Sequence, residues 1–279
     1  MGGLAVVSRV RRMSGRGIGL LAIAAVLLGV SFVVVPGMAA GWGSAGGIGN
    51  EGELRDALRV AFVGYWSSGA GEFSPALNEV VAYWFRYHVA KAVIAAVLLG
   101  VLTVLAVALW NAVGREEDAR WGRRVALGAA GAGVTTCALV AVLAVMANVQ
   151  GAVAPYASLL PMLFDDPVGP ELAGTVTDVG RQLAAAGSSP ALEVMIGDFT
   201  RYHVAMVVIA SMVAVGCAVA TVVLWRRRAG KSSAERGVLA GLGLLTMGLT
   251  VVFVVVAVAN TSTVAEPVPA LQALFDGGW

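Results

Sequence analysis

The chain has 279 residues, 58% hydrophobic and 13% charged, with a formal net charge of +2. Soluble domains carry about 25% charged residues, so this deficit, with a mean hydropathy of +0.83, excludes an ordinary soluble domain. The two cysteines, Cys137 and Cys217, lie inside apolar runs, which excludes a disulfide framework in polar loops and leaves no CxxC or Cys/His metal spacing.

A bilayer core takes about 20 apolar residues in helical form. In chain order, a basic tail with Arg9, Arg11, Arg12 and Arg16 precedes the first apolar run, residues 18–35. Its length favours an uncleaved signal-anchor, because a signal-peptide core is about 7–15 residues. Cleavage would leave four spans. An acidic segment follows, with Glu51, Glu53, Asp56, Glu72 and Glu79. The second span then starts within "RYHVA", at about Val89, and "LW" closes it at Trp110. Arg115, Arg120, Arg123 and Arg124 fill a short turn before the third span. Asp165, Asp166, Glu171, Asp178, Glu193 and Asp198 mark the next long segment. A second "RYHVA" opens the fourth span, and Arg226, Arg227, Arg228, Lys231 and Arg236 separate it from the fifth. The five spans are expected at about 18–38, 88–111, 125–148, 203–225 and 237–260, in one membrane domain covering 1–279. The expected fold class is all-α, an integral membrane helical bundle of five transmembrane helices.

Basic residues cluster in alternate segments, thirteen of nineteen in the tail and two short turns. The positive-inside rule therefore places the N-terminus in the cytoplasm and the C-terminus outside a bacterial plasma membrane. Segments 40–86, 149–201 and 261–279 then lie outside. Helix-compatible stretches at 51–65 and 175–186 predict short helices over the outer ends of the bundle.

The chain repeats itself. Residues 74–110 align with 189–225 without a gap, and 16 of 37 positions are identical. Arg124 pairs with Arg236, Gly131 with Gly243, and "AN" at Asn148 with "AN" at Asn260. The unit is an odd span, an outside segment, "SPAL" and an even span. Successive copies cross the membrane in the same sense, which makes this a parallel repeat.

The candidate outer-mouth site is Arg86, Tyr87, His88, Asn148, Arg201, Tyr202, His203 and Asn260. Arg and Tyr are ordinary anchors at a lipid–water boundary, and anchoring is the preferred reading. The alternative is a polar ligand or partner site, or ligation of a haem by His88 and His203. No other cofactor and no metal is expected. Asn148 and Asn260 are expected to cap helix C-termini; a hydrogen bond to the neighbouring His or Tyr is the alternative. Lys91 shares a face with His88 and is expected to snorkel outward. Gly128, Ala132, Gly237 and Gly241 form small-xxx-small pairs and are expected to let helices approach. Expected partners are the lipid bilayer, a membrane-protein partner or a homo-oligomer, and no nucleic acid.

The "AN…STVAEPVPALQALFDGG" tail and the RYH-headed spans resemble uncharacterised multispan membrane proteins of actinobacteria, some labelled as twin-arginine signal-sequence proteins. The resemblance covers most of the chain and implies no catalytic residue. With no nucleotide-binding loop, HExxH or GxSxG motif, the expectation leans away from an enzyme. An accessory, scaffold or binding component is expected. A haem- or quinone-associated redox protein and a small transporter or channel subunit are the alternatives.

Overall fold

The computed structural model describes residues 14–42, 48–115, 121–165, 167, 169–185 and 187–277. Arg9, Arg11, Arg12, Arg120 and Asp166 lie outside the described residues. Among these residues the chain is helix and turn, with no strand. Five long helices, α1 Gly15–Gly41, α3 Pro75–Arg115, α4 Trp121–Val153, α7 Pro190–Arg226 and α8 Ser233–Ala265, alternate with shorter ones. The shorter ones are α2 Glu51–Ser68, α5 Pro155–Leu159 with a following 3-10 turn Leu160–Leu163, α6 Pro170–Ala184 and α9 Pro267–Phe275. The five long helices are each long and apolar enough to cross a membrane.

Local chemistry sets the helix starts. Pro75, Pro155, Pro170, Pro190 and Pro267 each occupy the first helical position, where the missing N–H has no intrahelical role and φ is already suitable. The same prolines end what precedes them. Ala154 (φ −136°, ψ 72°) and Glu266 (φ −134°, ψ 76°) take nearly the same non-helical conformation, because a following proline disfavours the α region. They break α4 from α5 and α8 from α9. At α2, Asn50 and Glu53 form a reciprocal cap: the Glu53 N–H donates to Asn50 Oδ1 at 3.0 Å, and Asn50 Nδ2 donates to Glu53 Oε1 at 2.7 Å. Gly69 closes the helix at φ 64°, where a Cβ would be strained.

The chain packs as two compact units, and the long helices contribute to both. The first comprises Met1–Val33, Lys91–Met146 and Ser211–Val254. Here two indoles lie on glycines. A Cβ on Gly131 would stand 3.2 Å from the Trp110 ring, and one on Gly243 would stand 3.0 Å from Trp225 Nε1. Hydroxyls lock the same contacts. Trp110 Nε1 donates to Thr135 Oγ1 at 3.0 Å, and Thr221 and Thr246 hydroxyls meet at 2.7 Å. This corrects the expected packing glycines. Nothing lies within 4 Å of a Cβ built on Gly128, Gly237 or Gly241, and Ala132 is exposed. The small-xxx-small faces turn away from the neighbouring helices, because helix rotation, not spacing, selects which glycines meet a partner.

Lys91 stays beside its own helices, with Nζ 4.7 Å from the centre of the Phe32 ring. This cation–π contact is an alternative to the expected outward snorkelling.

The second unit comprises Val34–Ala90, Ala147–Ala210 and Val255–Trp279, and it holds one contiguous core. Leu54, Leu58, Phe62 and Tyr65, spaced three or four apart on α2, are all within 2% exposed. Leu77, Tyr156, Leu159, Leu163, Val179, Met195 and Leu271 close around them. Short helices were expected at 51–65 and 175–186, and α2 and α6 occupy those places; they are walls of this core.

Tyr65 Oη and Tyr156 Oη are buried without a hydrogen-bond partner, and burial pushes both phenols up. An unpartnered buried hydroxyl is a cost. Tyr156→Phe is therefore expected to leave the stability of the detergent-solubilised protein, read from its thermal melt, unchanged or higher, by up to about 1 kcal/mol. A clear drop on melting would mean that the hydroxyl is bonded.

Candidate functional site

The repeated triplets do not head their helices. α3 starts at Pro75 and α7 at Pro190, so Arg86 and Arg201 enter about three turns in. Ser74 shows why: its Oγ accepts the Leu77 N–H at 3.3 Å and its carbonyl accepts Asn78 N–H at 2.9 Å, so it caps α3 ahead of the apolar run.

His88 and His203 make the same contact in the two copies. His88 Nδ1 lies 3.0 Å from Asn148 Oδ1, and His203 Nδ1 lies 2.8 Å from Asn260 Oδ1. Each ring also meets an aromatic edge one turn earlier: Trp84 with His88 at 4.6 Å, Phe199 with His203 at 4.6 Å. The asparagines are therefore cross-helix partners. The left-handed caps expected there do not form, because α4 runs on to Val153 and α8 to Ala265. Asn260 also sets the His203 tautomer. Its Nδ2 donates to Val256 O at 2.8 Å, which leaves Oδ1 as the acceptor toward His203. Nδ1 then carries the proton and Nε2 the lone pair in the neutral ring. Among the described residues, no group bonds His203 Nε2, which is buried.

The copies differ beyond the pair. A Cβ on Gly151 would fall 2.6, 2.7 and 2.8 Å from His88 Nε2, Cε1 and Cδ2. Three nearly equal distances place it over the face of the imidazole. The corresponding residue of the second copy is Thr263, so that seam admits a side chain where the first admits none.

The remaining candidates separate. Arg86 Nε donates to Ala40 O at 3.0 Å and so satisfies a carbonyl in the last turn of α1. Tyr87 stacks on Trp84, with ring centres 5.1 Å apart and planes at 3°. Arg201 Nη1 donates to Asp198 Oδ1 at 2.8 Å. The Tyr202 carbonyl accepts Gln150 Nε2 at 3.1 Å. The eight residues thus form two His–Asn pairs and several independent ties, not one constellation.

Two polar groups were missed in the sequence. Asp198, 7% exposed, accepts the Ala157 N–H through Oδ2 at 2.9 Å and a further bond from the Tyr156 N–H. It caps α5 from another helix, because Ala154 has no side chain to do so. The available signal was a carboxylate three residues before Arg201, where the first copy has Tyr83. The other is a chain of bonds between α2 and α6. Trp66 Nε1 donates to Asp178 Oδ2 at 2.9 Å, Gln182 Nε2 to the same oxygen at 2.8 Å, and Ser189 Oγ to Gln182 Oε1 at 2.7 Å. Arg181 bonds the other carboxylate oxygen. The network borders an open groove of about 520 Å³ with Glu171 and Thr175 on its wall.

The Trp66 bond, then the Arg181 guanidinium, holds the Asp178 carboxyl below its ordinary value of 3.8. A depressed carboxyl contributes stability that is present above its unfolded value and lost as pH falls through its folded one. Trp66 emission, isolated by difference from Trp66→Phe, should therefore change only below the ordinary carboxylate range. A transition at or above pH 5 would remove the assignment.

Among the described residues, no three His, Cys, Asp or Glu side chains gather as a metal site. Comparison with protein-family models, curated proteins and solved structures returns no match for this chain.

Proposed function

We propose that the chain is a multispan protein of the bacterial plasma membrane whose second unit is an extracytoplasmic binding or scaffold component, not an enzyme. In this reading the arginine-rich turns face the cytoplasm and the C-terminus lies outside. One observation carries the proposal: both triplet histidines are engaged in helix-to-helix ties, while the segments between spans fold into a unit with its own core. The likeness to actinobacterial multispan proteins belongs to the same reading.

The transport alternative gains no support from the spans. Hydroxyls of Thr103, Thr136 and Thr250 return to carbonyls four residues back on their own helices. The haem or quinone alternative draws on the His203 Nε2 lone pair, oriented by Asn260 as outer partners orient metal ligands. Purified membranes containing the overproduced chain decide it: a haem absorption band lost in His203→Ala supports it, and a colourless preparation removes it.

The proposal is tested with a photo-crosslinking residue at Val60, which is 76% exposed on α2, and at Thr177 on α6. Discrete protein adducts shared by both sites in native membranes are the expected result. Lipid or self adducts alone would overturn it. Ser67→Cys and Ser232→Cys, in a chain lacking Cys137 and Cys217, test orientation: an impermeant thiol reagent should reach only Ser67→Cys in intact cells.

A further inference from the structure

Between α7 and α8 the chain sets Arg226, Arg227, Arg228, Lys231 and Arg236 against one carboxylate, Glu235. The residues that follow Trp110 at the corresponding place are Asn111, Ala112 and Val113, and there α3 stays helical to Arg115 with Val113 buried. α7 instead ends at Arg226 and turns. The Arg228 N–H donates to Trp225 O at 3.3 Å, the Lys231 N–H donates to Arg228 O at 3.3 Å, and Gly230 takes φ 71°.

This turn lays Arg228 back on the indole. Its Cζ lies 4.4 Å from the centre of the Trp225 ring, the same ring that rests on Gly243. Arg228 Nε is buried and has no hydrogen-bond partner among the described residues. Lys231 takes the Glu235 carboxylate, with Nζ 3.1 Å from Oε1. Glu235 Oε2 accepts the Ser232 N–H at 3.3 Å and Ser232 Oγ accepts the Glu235 N–H at 3.3 Å, so the chain caps the start of α8 itself. Arg226, Arg227, Arg228 and Arg236 pair with no carboxylate among the described residues.

A guanidinium stacked on an aromatic face keeps its N–H groups in the plane, open at the edge, and that edge matches a phosphate with two parallel bonds. The surroundings fit a lipid. Val215, Val219 and Val222 are 64%, 58% and 51% exposed and lead along α7 to Arg226 in steps of three and four residues. An indole at the end of such a face belongs to the lipid–water boundary.

We propose that the α7–α8 turn binds the phosphate of one anionic phospholipid. Arg228, held on Trp225, takes the phosphate; Arg226, Arg227 and Arg236 supply the surrounding positive charge, and an acyl chain lies beside Val215, Val219 and Val222. The inference is independent of what the second unit binds and of which side of the membrane the turn faces.

The test is native mass spectrometry of the full chain in a mild detergent, titrated with phosphatidylglycerol or with phosphatidylcholine. Phosphatidylglycerol should be retained at least fivefold more tightly. Arg228→Gln should weaken its retention at least fivefold, and Arg228→Lys, which keeps the charge and loses the planar fork, at least twofold. Arg16→Gln removes an exposed cation at the start of α1 and should change retention less than twofold. Phosphatidylcholine retention should be the same in all four proteins, which reports that each variant is folded. Equal retention of the two lipids would overturn the proposal. So would Arg228→Gln or Arg228→Lys binding as the parent does, or losses equal in Arg228→Gln and Arg16→Gln, since these mean diffuse attraction without a built site. Displacement of phosphatidylglycerol by millimolar inorganic phosphate would show a site for a free anion and would also overturn it.

Discussion

Gly151→Ala should lower the stability of the solubilised protein by about 1–3 kcal/mol, the usual cost of forcing atoms into a packed contact. The new methyl would sit 2.6 Å from His88 Nε2, inside any contact a real Cβ makes. The ring has little room to move, because Asn148 holds its Nδ1 and Trp84 packs against it at 4.6 Å. A shift of either helix would break the pair that joins α3 to α4. The sign is the informative part. Gly174→Ala, on an exposed turn of α6 with open space around it, should raise stability by about 0.5–1 kcal/mol through helix propensity. Adding His88→Ala to Gly151→Ala should recover part of the loss, since the obstructing ring is gone. Thermal melts of the four proteins form the measurement. Equal behaviour of Gly151→Ala and Gly174→Ala would mean that the seam is not close-packed.

Asp198→Ala should cost about 2–4 kcal/mol, because two backbone N–H groups at the start of α5 lose their acceptor inside the core. The carboxylate also opposes the positive end of the helix. Asp198→Asn keeps one acceptor oxygen and should cost less. Arg201→Ala should cost least, because the Arg201 side chain is 62% exposed and solvent screens such a pair. Melting midpoints should therefore fall in the order Arg201→Ala, Asp198→Asn, Asp198→Ala. If Asp198→Ala were as mild as Arg201→Ala, the residue would be a surface ion-pair partner and not the cap of α5.

Much of the architecture follows from local physics and was legible without coordinates. Apolar run length sets the number of membrane helices, since each backbone must satisfy its own hydrogen bonds in lipid. Proline sets the helix starts at 75, 155, 170, 190 and 267, and the breaks before 155 and 267. The repeat marks Gly131 with Gly243 and Asn148 with Asn260 before any contact is known. Tertiary structure alone decided what those residues touch. Gly131 and Gly243 meet indoles while Gly128, Gly237 and Gly241 meet nothing, because a span that is apolar on every side carries no sequence record of its rotation. Asn148 and Asn260 bond histidines across helices instead of capping, because α4 and α8 continue until a proline stops them. Asp198 caps a helix 41 residues earlier in the chain, a partnership that depends on packing and leaves no spacing to read. The "RYHVA" stretch stands twice in the sequence, and the role of each histidine as a cross-helix tie is set by which neighbour it meets.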